Sequence, residues 1–173
     1  MFSCFKKKEL KSHDILDVSI HGGIKEKESP FYLDSITYKD TIPYVHQLTI
    51  GKVVKVYDGD TITIASKLAY PDSPIYRFSI RLRGIDTPEI KSKCEKEKEL
   101  AKKAQEALSS FVLDKIVTFE DVGMDKYGRV LANVYYDKIN LSQWMLQNGH
   151  AVEYDGGKKY IPKEWANEEP NTI

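Results

Sequence analysis

Five runs of alternating apolar and polar residues predict β-strands in the central part of the chain, because successive side chains of a strand point to opposite faces. The first run is rich in valine, which favours an extended backbone. Tight turns are predicted at Asp58-Gly59 and at Tyr127-Gly128. The predicted strands cover residues 45–57, 61–64, 75–85, 116–122 and 129–136.

A helical pattern interrupts the strands after the third one. Apolar residues recur every three or four positions between Leu100 and Val112, and Ser92 followed by Glu95 has the spacing of a capping box. A second, shorter helix is predicted with its N-cap at Ser142. Five strands, a helix inserted after the third and a second short helix predict an α+β, mainly β fold, built as a five-stranded OB-type barrel.

The predicted barrel accounts for only part of the 173 residues. We expect a loosely ordered N-terminal extension over residues 1–44, the barrel domain over residues 45–160 and a C-terminal tail over residues 161–173.

The 26 basic and 26 acidic side chains give a formal net charge of zero. Nucleic-acid binding would therefore depend on a local patch rather than on a general basic excess.

The N-terminal residues bear on location. No apolar run reaches the ~20 residues of a membrane span, and no apolar segment typical of a secretory signal follows the first charges. We therefore expect an intracellular, cytoplasmic protein that acts as a monomer. The alternative is weak peripheral anchoring, in which Cys4 is acylated and Lys6, Lys7 and Lys8 contact anionic lipid.

Candidate catalytic residues are concentrated where predicted strands meet turns. The third strand carries Arg81 and ends at Thr87-Pro88, because proline cannot donate to a sheet ladder. Asp86 and Glu89 lie at this exit. Carboxylate oxygens suit a hard divalent cation, and the arginine fork suits phosphate oxygens. Together with Asp60 and Arg129, which follow the two tight turns, these residues predict a metal-assisted phosphodiester site.

Three motifs in the same order resemble those of the staphylococcal thermonuclease family. They are residues 56–61 (Val-Tyr-Asp-Gly-Asp-Thr), residues 81–89 and residues 125–129 (Asp-Lys-Tyr-Gly-Arg), within a resemblance that covers residues 48–155. The resemblance implies a calcium-dependent endonuclease that hydrolyses DNA or RNA. It further implies in-line attack by a calcium-associated water and products with 3′-phosphate ends.

The resemblance also implies a role for each matching residue. The calcium ligands would be the carboxylates of Asp60 and Asp86 and the main-chain carbonyl of Thr87, with Asp58 near the metal. Glu89 would orient or deprotonate the attacking water. The residues implied to hold the reacting phosphate are Arg81 and Arg129, and those implied to contact a neighbouring phosphate are Lys126 and Tyr127.

Three features depart from the family pattern, and one of them is the family's third, C-terminal helix, which has no convincing equivalent in residues 158–173. The paired-tyrosine segment that stacks on the base is absent after Gly149, so Tyr154 is the candidate for that role and Tyr160 the alternative. Arg83 has no counterpart in the family and is expected to form a surface ion pair.

The alternative to an active enzyme is a catalytically silent binding module on the same barrel. The presence of the acids and both arginines favours the enzyme.

Overall fold

The computed structural model describes residues 30–157, 159 and 162–165. The chain divides into a unit that ends at Thr41 and a unit that begins at Ile42. In the first unit, two 3₁₀ helices span Pro30–Ser35 and Tyr38–Asp40. Cys4 and the three lysines at positions 6–8 lie outside the described residues, as does Tyr160. The division into extension, domain and tail stays a prediction.

Five long strands of the second unit form a barrel, in agreement with the predicted fold. Neighbours pair antiparallel in the order β3-β2-β1-β5-β6, and a parallel pairing of β3 with β6 closes the barrel. The long strands are β1 (Ile50–Val56), β2 (Thr61–Lys67), β3 (Ile75–Leu82), β5 (Ile116–Met124) and β6 (Val130–Tyr136). Two-residue strands are β4 (Ile85–Asp86), β7 (Ile139–Asn140) and β8 (Val152–Glu153).

The inward faces of the strands form one apolar core. In β2, Ile62 and Ile64 are fully buried, whereas Thr63 and Ala65 on the opposite face are partly exposed. This alternation is the pattern from which the strand was predicted. The predicted third strand is divided, because Gly84 has a φ of +82° that L-residues rarely adopt and separates β3 from β4.

The inserted helix α1 spans Glu95–Val112 and packs on β1. The predicted capping box of Ser92 and Glu95 is wrong, because Cys94 occupies the N-cap position without a side-chain cap. The Ser92 hydroxyl instead accepts a hydrogen bond from the Cys94 amide at 3.1 Å. The buried Glu97 carboxylate of this helix accepts a hydrogen bond from the Glu89 amide at 3.1 Å. The helix thereby fixes the loop that follows β4.

The second helix, α2, spans Leu141–Gln147 and packs on β6. Its N-cap is Asn140, whose side-chain oxygen accepts from the Gln143 amide at 3.1 Å, so the predicted cap at Ser142 is wrong. Ser142 is buried and donates to the carbonyl of Arg83 at 2.7 Å, which ties the helix to the end of β3. No helix in the described part of the chain is both long and apolar enough to cross a membrane.

Candidate active site

The Arg81 guanidinium joins two carboxylates near the end of β3. Its Nη1 is 2.8 Å from Asp60 Oδ2, and its Nη2 is 3.3 Å from Asp86 Oδ1. Arg81, Asp60 and Asp86 are 8%, 7% and 6% exposed. The Thr61 hydroxyl donates to Asp60 Oδ1 at 2.8 Å, and the Asp60 amide donates to Asp58 Oδ1 at 3.1 Å. The structure thus assembles three of the predicted site residues into one buried, ion-paired group.

The turn that carries Asp60 is held against the loop after β4. A Cβ added to Gly59 would lie 2.9 Å from the Ala104 Cβ of α1 and 3.0 Å from Thr87 Cγ2. Only glycine therefore permits the turn to approach both elements this closely. Thr87 is itself buried, at 3% exposure. The close approach places Asp60 beside the segment that contains Asp86 and Thr87.

The two buried carboxylates have raised pKa values. Burial raises the pKa of Asp60 to about 6, and the negative charge of Asp58 adds to this shift, although Arg81 opposes it. Burial also raises the pKa of Asp86, against the lowering effect of Lys159. A nearby divalent cation favours the charged form of a carboxylate, so it would lower both pKa values.

The oxygen donors at Asp60 and Asp86 fit a hard cation whose shell of protein ligands is incomplete. No group of three or more His, Cys, Asp or Glu side chains within the described residues could hold a metal. The oxygens that could contribute to such a shell are the carboxylates of Asp60 and Asp86 and main-chain oxygens such as the Thr87 carbonyl. Calcium takes six to eight oxygen ligands, so water and substrate would supply the others.

Lys159 is a site residue that sequence reasoning missed. Its Nζ lies 3.0 Å from Asp86 Oδ2 and 2.7 Å from Glu89 Oε1. Burial alone lowers the pKa of Lys159, but hydrogen bonds to Glu89 and Asp86 outweigh that effect and raise it. Its position depends on a long-range pairing: Lys159 follows β8, and β8 pairs with β4, where Asp86 is opposite Val152.

The second arginine, Arg129, is fixed by its own turn. Asp125 Oδ1 accepts from the amides of Tyr127 and Arg129 at 2.8 and 2.9 Å, and Asp125 Oδ2 accepts from Arg129 Nε at 2.7 Å. Gly128 has a φ of +79°, which glycine adopts without strain. Lys126 Nζ lies 5.2 Å from the centroid of the exposed Tyr127 ring. The turn thus presents Arg129, Lys126 and Tyr127 together.

Two cavities meet at the charged cluster. The Tyr57 cavity, of about 470 Å³, has Lys55, Tyr57 and Gln105 in its wall. The Tyr127 cavity, of about 610 Å³, has Lys126, Tyr127 and Tyr154 in its wall, and so contains all three predicted substrate-binding residues. The residues shared by both walls are Arg81, Asp86, Glu89, Arg129 and Lys159.

Arg83 does not form the expected surface ion pair with any described residue. Its Nη2 donates to the main-chain carbonyls of Asp121 and Leu131, at 2.7 and 3.4 Å. The pairing of β5 with β6 changes register between Glu120 and Gly123, so Arg83 braces this irregular stretch. These hydrogen bonds connect the segment after β3 to β5 and β6.

A buried guanidinium lies between two carboxylates on an OB-type barrel, and a second arginine and a glutamate line the same cavity walls. The arginine fork is a geometry that suits phosphate oxygens. A family model described as staphylococcal nuclease homologue matches residues 79–169, just over half of the chain. The chain belongs to this family. The match confirms the resemblance inferred from the three motifs.

Individual relatives cover parts of the chain. An uncharacterised endonuclease of Haemophilus influenzae is 36% identical over 103 residues, which are 60% of this chain and 51% of that protein. An uncharacterised endonuclease of Escherichia coli is 34% identical over 106 residues, 61% of each chain. A probable staphylococcal-like nuclease of Oryza sativa is 36% identical over 78 residues, 45% of this chain and 14% of that protein. The chain therefore spans between half and two thirds of the length of the two bacterial relatives.

Proposed function

We propose that the protein is a metal-dependent nuclease that hydrolyses phosphodiester bonds of DNA or RNA. The observation that carries the proposal is the buried Asp60–Arg81–Asp86 group, with Arg129 and Glu89 in the walls of the same two cavities. Membership of the staphylococcal nuclease family and the names of the relatives support the same activity.

The two arginines stabilise the charge that develops on the reacting phosphate. Negative charge increases on the phosphoryl oxygens during attack, and fixed cations directed at those oxygens lower the barrier. Arg81 is held by two carboxylates and Arg129 by Asp125, so neither guanidinium has to be ordered during the reaction. Removing one such preorganised donor typically costs about 10²–10³ in rate.

Asp60, Asp86 and the Thr87 carbonyl are the groups that would hold a calcium ion. Calcium, when bound, would polarise the phosphate and lower the pKa of a coordinated water. Glu89 accepts the proton of the attacking water on its carboxylate, and its backbone amide is fixed by Glu97 at 3.1 Å. The water attacks phosphorus in line with the P–O5′ bond, and that bond breaks. The 5′-oxygen leaves as a hydroxyl, and the phosphate stays on the 3′ side.

A cleavage assay tests the proposal. End-labelled single-stranded DNA and RNA are incubated with the protein in calcium, in magnesium and in chelator, and the product ends are identified by mass spectrometry. We expect calcium-dependent internal cleavage that leaves 3′-phosphates. Asp86→Asn should abolish turnover, whereas the matched exposed change Asp114→Asn, at a side chain paired with Lys52, should not. Binding of the labelled strands without cleavage in any metal would instead indicate a silent binding module.

A further inference from the structure

We propose that Tyr57 and Lys55 form a second nucleotide subsite in the Tyr57 cavity. In this subsite one base of a single strand would stack on the Tyr57 ring, and Lys55 would contact the adjoining phosphate. The inference rests on the proposed nuclease function and extends it to the opposite side of the scissile phosphate. The predicted substrate-binding residues Lys126, Tyr127 and Tyr154 all lie in the other cavity.

The Tyr57 ring is presented on a fixed backbone. Its amide donates to the Thr61 carbonyl at 2.9 Å, and its carbonyl accepts from Gln105 Nε2 at 2.7 Å. The residue is nevertheless 50% exposed. Lys55 Nζ lies 5.8 Å from the ring centroid, so a cation accompanies the aromatic surface. A ring with a fixed backbone loses little conformational freedom on stacking, which favours binding.

The position of the cavity determines which ligand it suits. Both cavities share the wall formed by Arg81, Arg129 and Glu89, so a strand whose scissile phosphate contacts both arginines has one cavity on each side. Internal cleavage requires nucleotides on both sides of that phosphate. An exposed tyrosine beside a lysine is the pairing that single-strand binding sites use, with aromatic stacking that tolerates any base.

A mutant cycle between Tyr57 and the substrate base tests the subsite. The substrates are short single-stranded oligonucleotides with one phosphodiester linkage, all other linkages being phosphorothioates. The base immediately 5′ or immediately 3′ of the cleavable linkage is removed in turn. The wild-type protein should lose about ten-fold in kcat/KM when either base is removed, which corresponds to one lost stacking contact.

Tyr57→Ala should lose about ten-fold on the intact substrate and become insensitive to base removal on one side only. Tyr70→Ala is the matched control, since Tyr70 is 47% exposed, outside both cavity walls, and hydrogen-bonded to the Tyr76 hydroxyl. This control should behave like the wild type. Lys55→Met should lower the slope of log affinity against log salt by about 0.7, as expected for one lost phosphate contact.

The outcomes separate the subsite from the nuclease proposal. Tyr57→Ala with undiminished sensitivity to base removal on both sides would overturn the subsite alone. The same conclusion would follow if Tyr70→Ala caused an equal loss. A wild-type protein that cleaves none of the substrates in any metal would overturn the nuclease proposal, and the subsite with it.

Discussion

Replacement of Lys159 by methionine should tighten calcium binding in the absence of nucleic acid. The Lys159 ammonium pairs with Asp86 Oδ2 at 3.0 Å and with Glu89 Oε1 at 2.7 Å. Asp86 is one of the two carboxylates proposed to hold the metal, so a bound cation would have to share this carboxylate with the ammonium or displace it. Methionine keeps the aliphatic length of the side chain and removes the charge.

The magnitude follows from the exposure of the pair. Two unit charges 3 Å apart interact by about 1–6 kcal/mol when the effective dielectric constant falls from 80 to 20. The Lys159 side chain is 30% exposed, so solvent screens its charge, and the desolvation cost of the Asp86 side chain, which is 9% exposed, offsets part of the attraction. The net interaction energy therefore stays near the lower limit. If loss of the ammonium makes calcium binding more favourable by about 1–1.4 kcal/mol, the dissociation constant for calcium falls five- to ten-fold.

Titration calorimetry with calcium chloride at fixed ionic strength measures the effect. Lys91→Met is the control, because Lys91 is an exposed residue of the Tyr57 cavity wall and loses the same charge. Asp86→Asn establishes that the heat comes from this site. The reasoning would be refuted if the calcium dissociation constant of Lys159→Met equalled that of Lys91→Met or exceeded that of the wild type.

Three further changes test other parts of the site. Arg129→Lys keeps the charge but loses the planar fork paired with Asp125, so turnover should fall by about 10² with little change in melting temperature; near-wild-type turnover would remove Arg129 from the mechanism. In Asp125, burial raises the pKa, but the hydrogen bonds from Arg129 and Tyr127 outweigh it and lower the pKa. Asp125→Asn should therefore destabilise the protein by about 1–2 kcal/mol above pH ~4, and this difference should vanish as pH falls through the lowered pKa. Urea unfolding at pH 7 and pH 3 measures it, and a pH-independent difference would contradict it. Cleavage should require calcium and be weak with magnesium, because magnesium demands a tight octahedron; initial rates across both titrations decide, and full activity with magnesium alone would overturn the assignment.

The barrel could be predicted because the alternation that indicates each strand lies within the residues of that strand. Fully buried Ile62 and Ile64 alternate with less buried neighbours along β2, and a glycine marks each of the two turns that carry site residues. Alternation reports which face of a strand is buried, whatever lies opposite it. The predicted strand boundaries were less accurate. The apolar pattern extends back to residue 45, but β1 begins only at Ile50.

Two of the errors occurred where partners distant in sequence decide the structure. Ser142 has the chemistry of an N-cap, but the carbonyl of Arg83, 59 positions earlier, takes its hydrogen bond and Asn140 becomes the cap. Lys159 was missed for a related reason. Its approach to Asp86 depends on the pairing of β4 with β8, and each of these strands has only two residues. A pattern of two residues can indicate a short strand, but it does not show which other strand it pairs with.

The charge of the two cavities indicates what the proposed metal would contribute to binding. Seven basic and six acidic side chains line the two walls, so the local patch that sequence reasoning required is almost neutral. Several basic groups are also already paired, as Arg81 is with Asp60 and Asp86, and Lys159 is with Asp86 and Glu89. A phosphate approaching this surface meets little uncompensated positive charge. A divalent cation at Asp60 and Asp86 would add two positive charges and release the ammonium of Lys159 toward the substrate. The overall neutrality of the chain is therefore compatible with nucleic-acid binding, provided that the cation binds first or together with the strand.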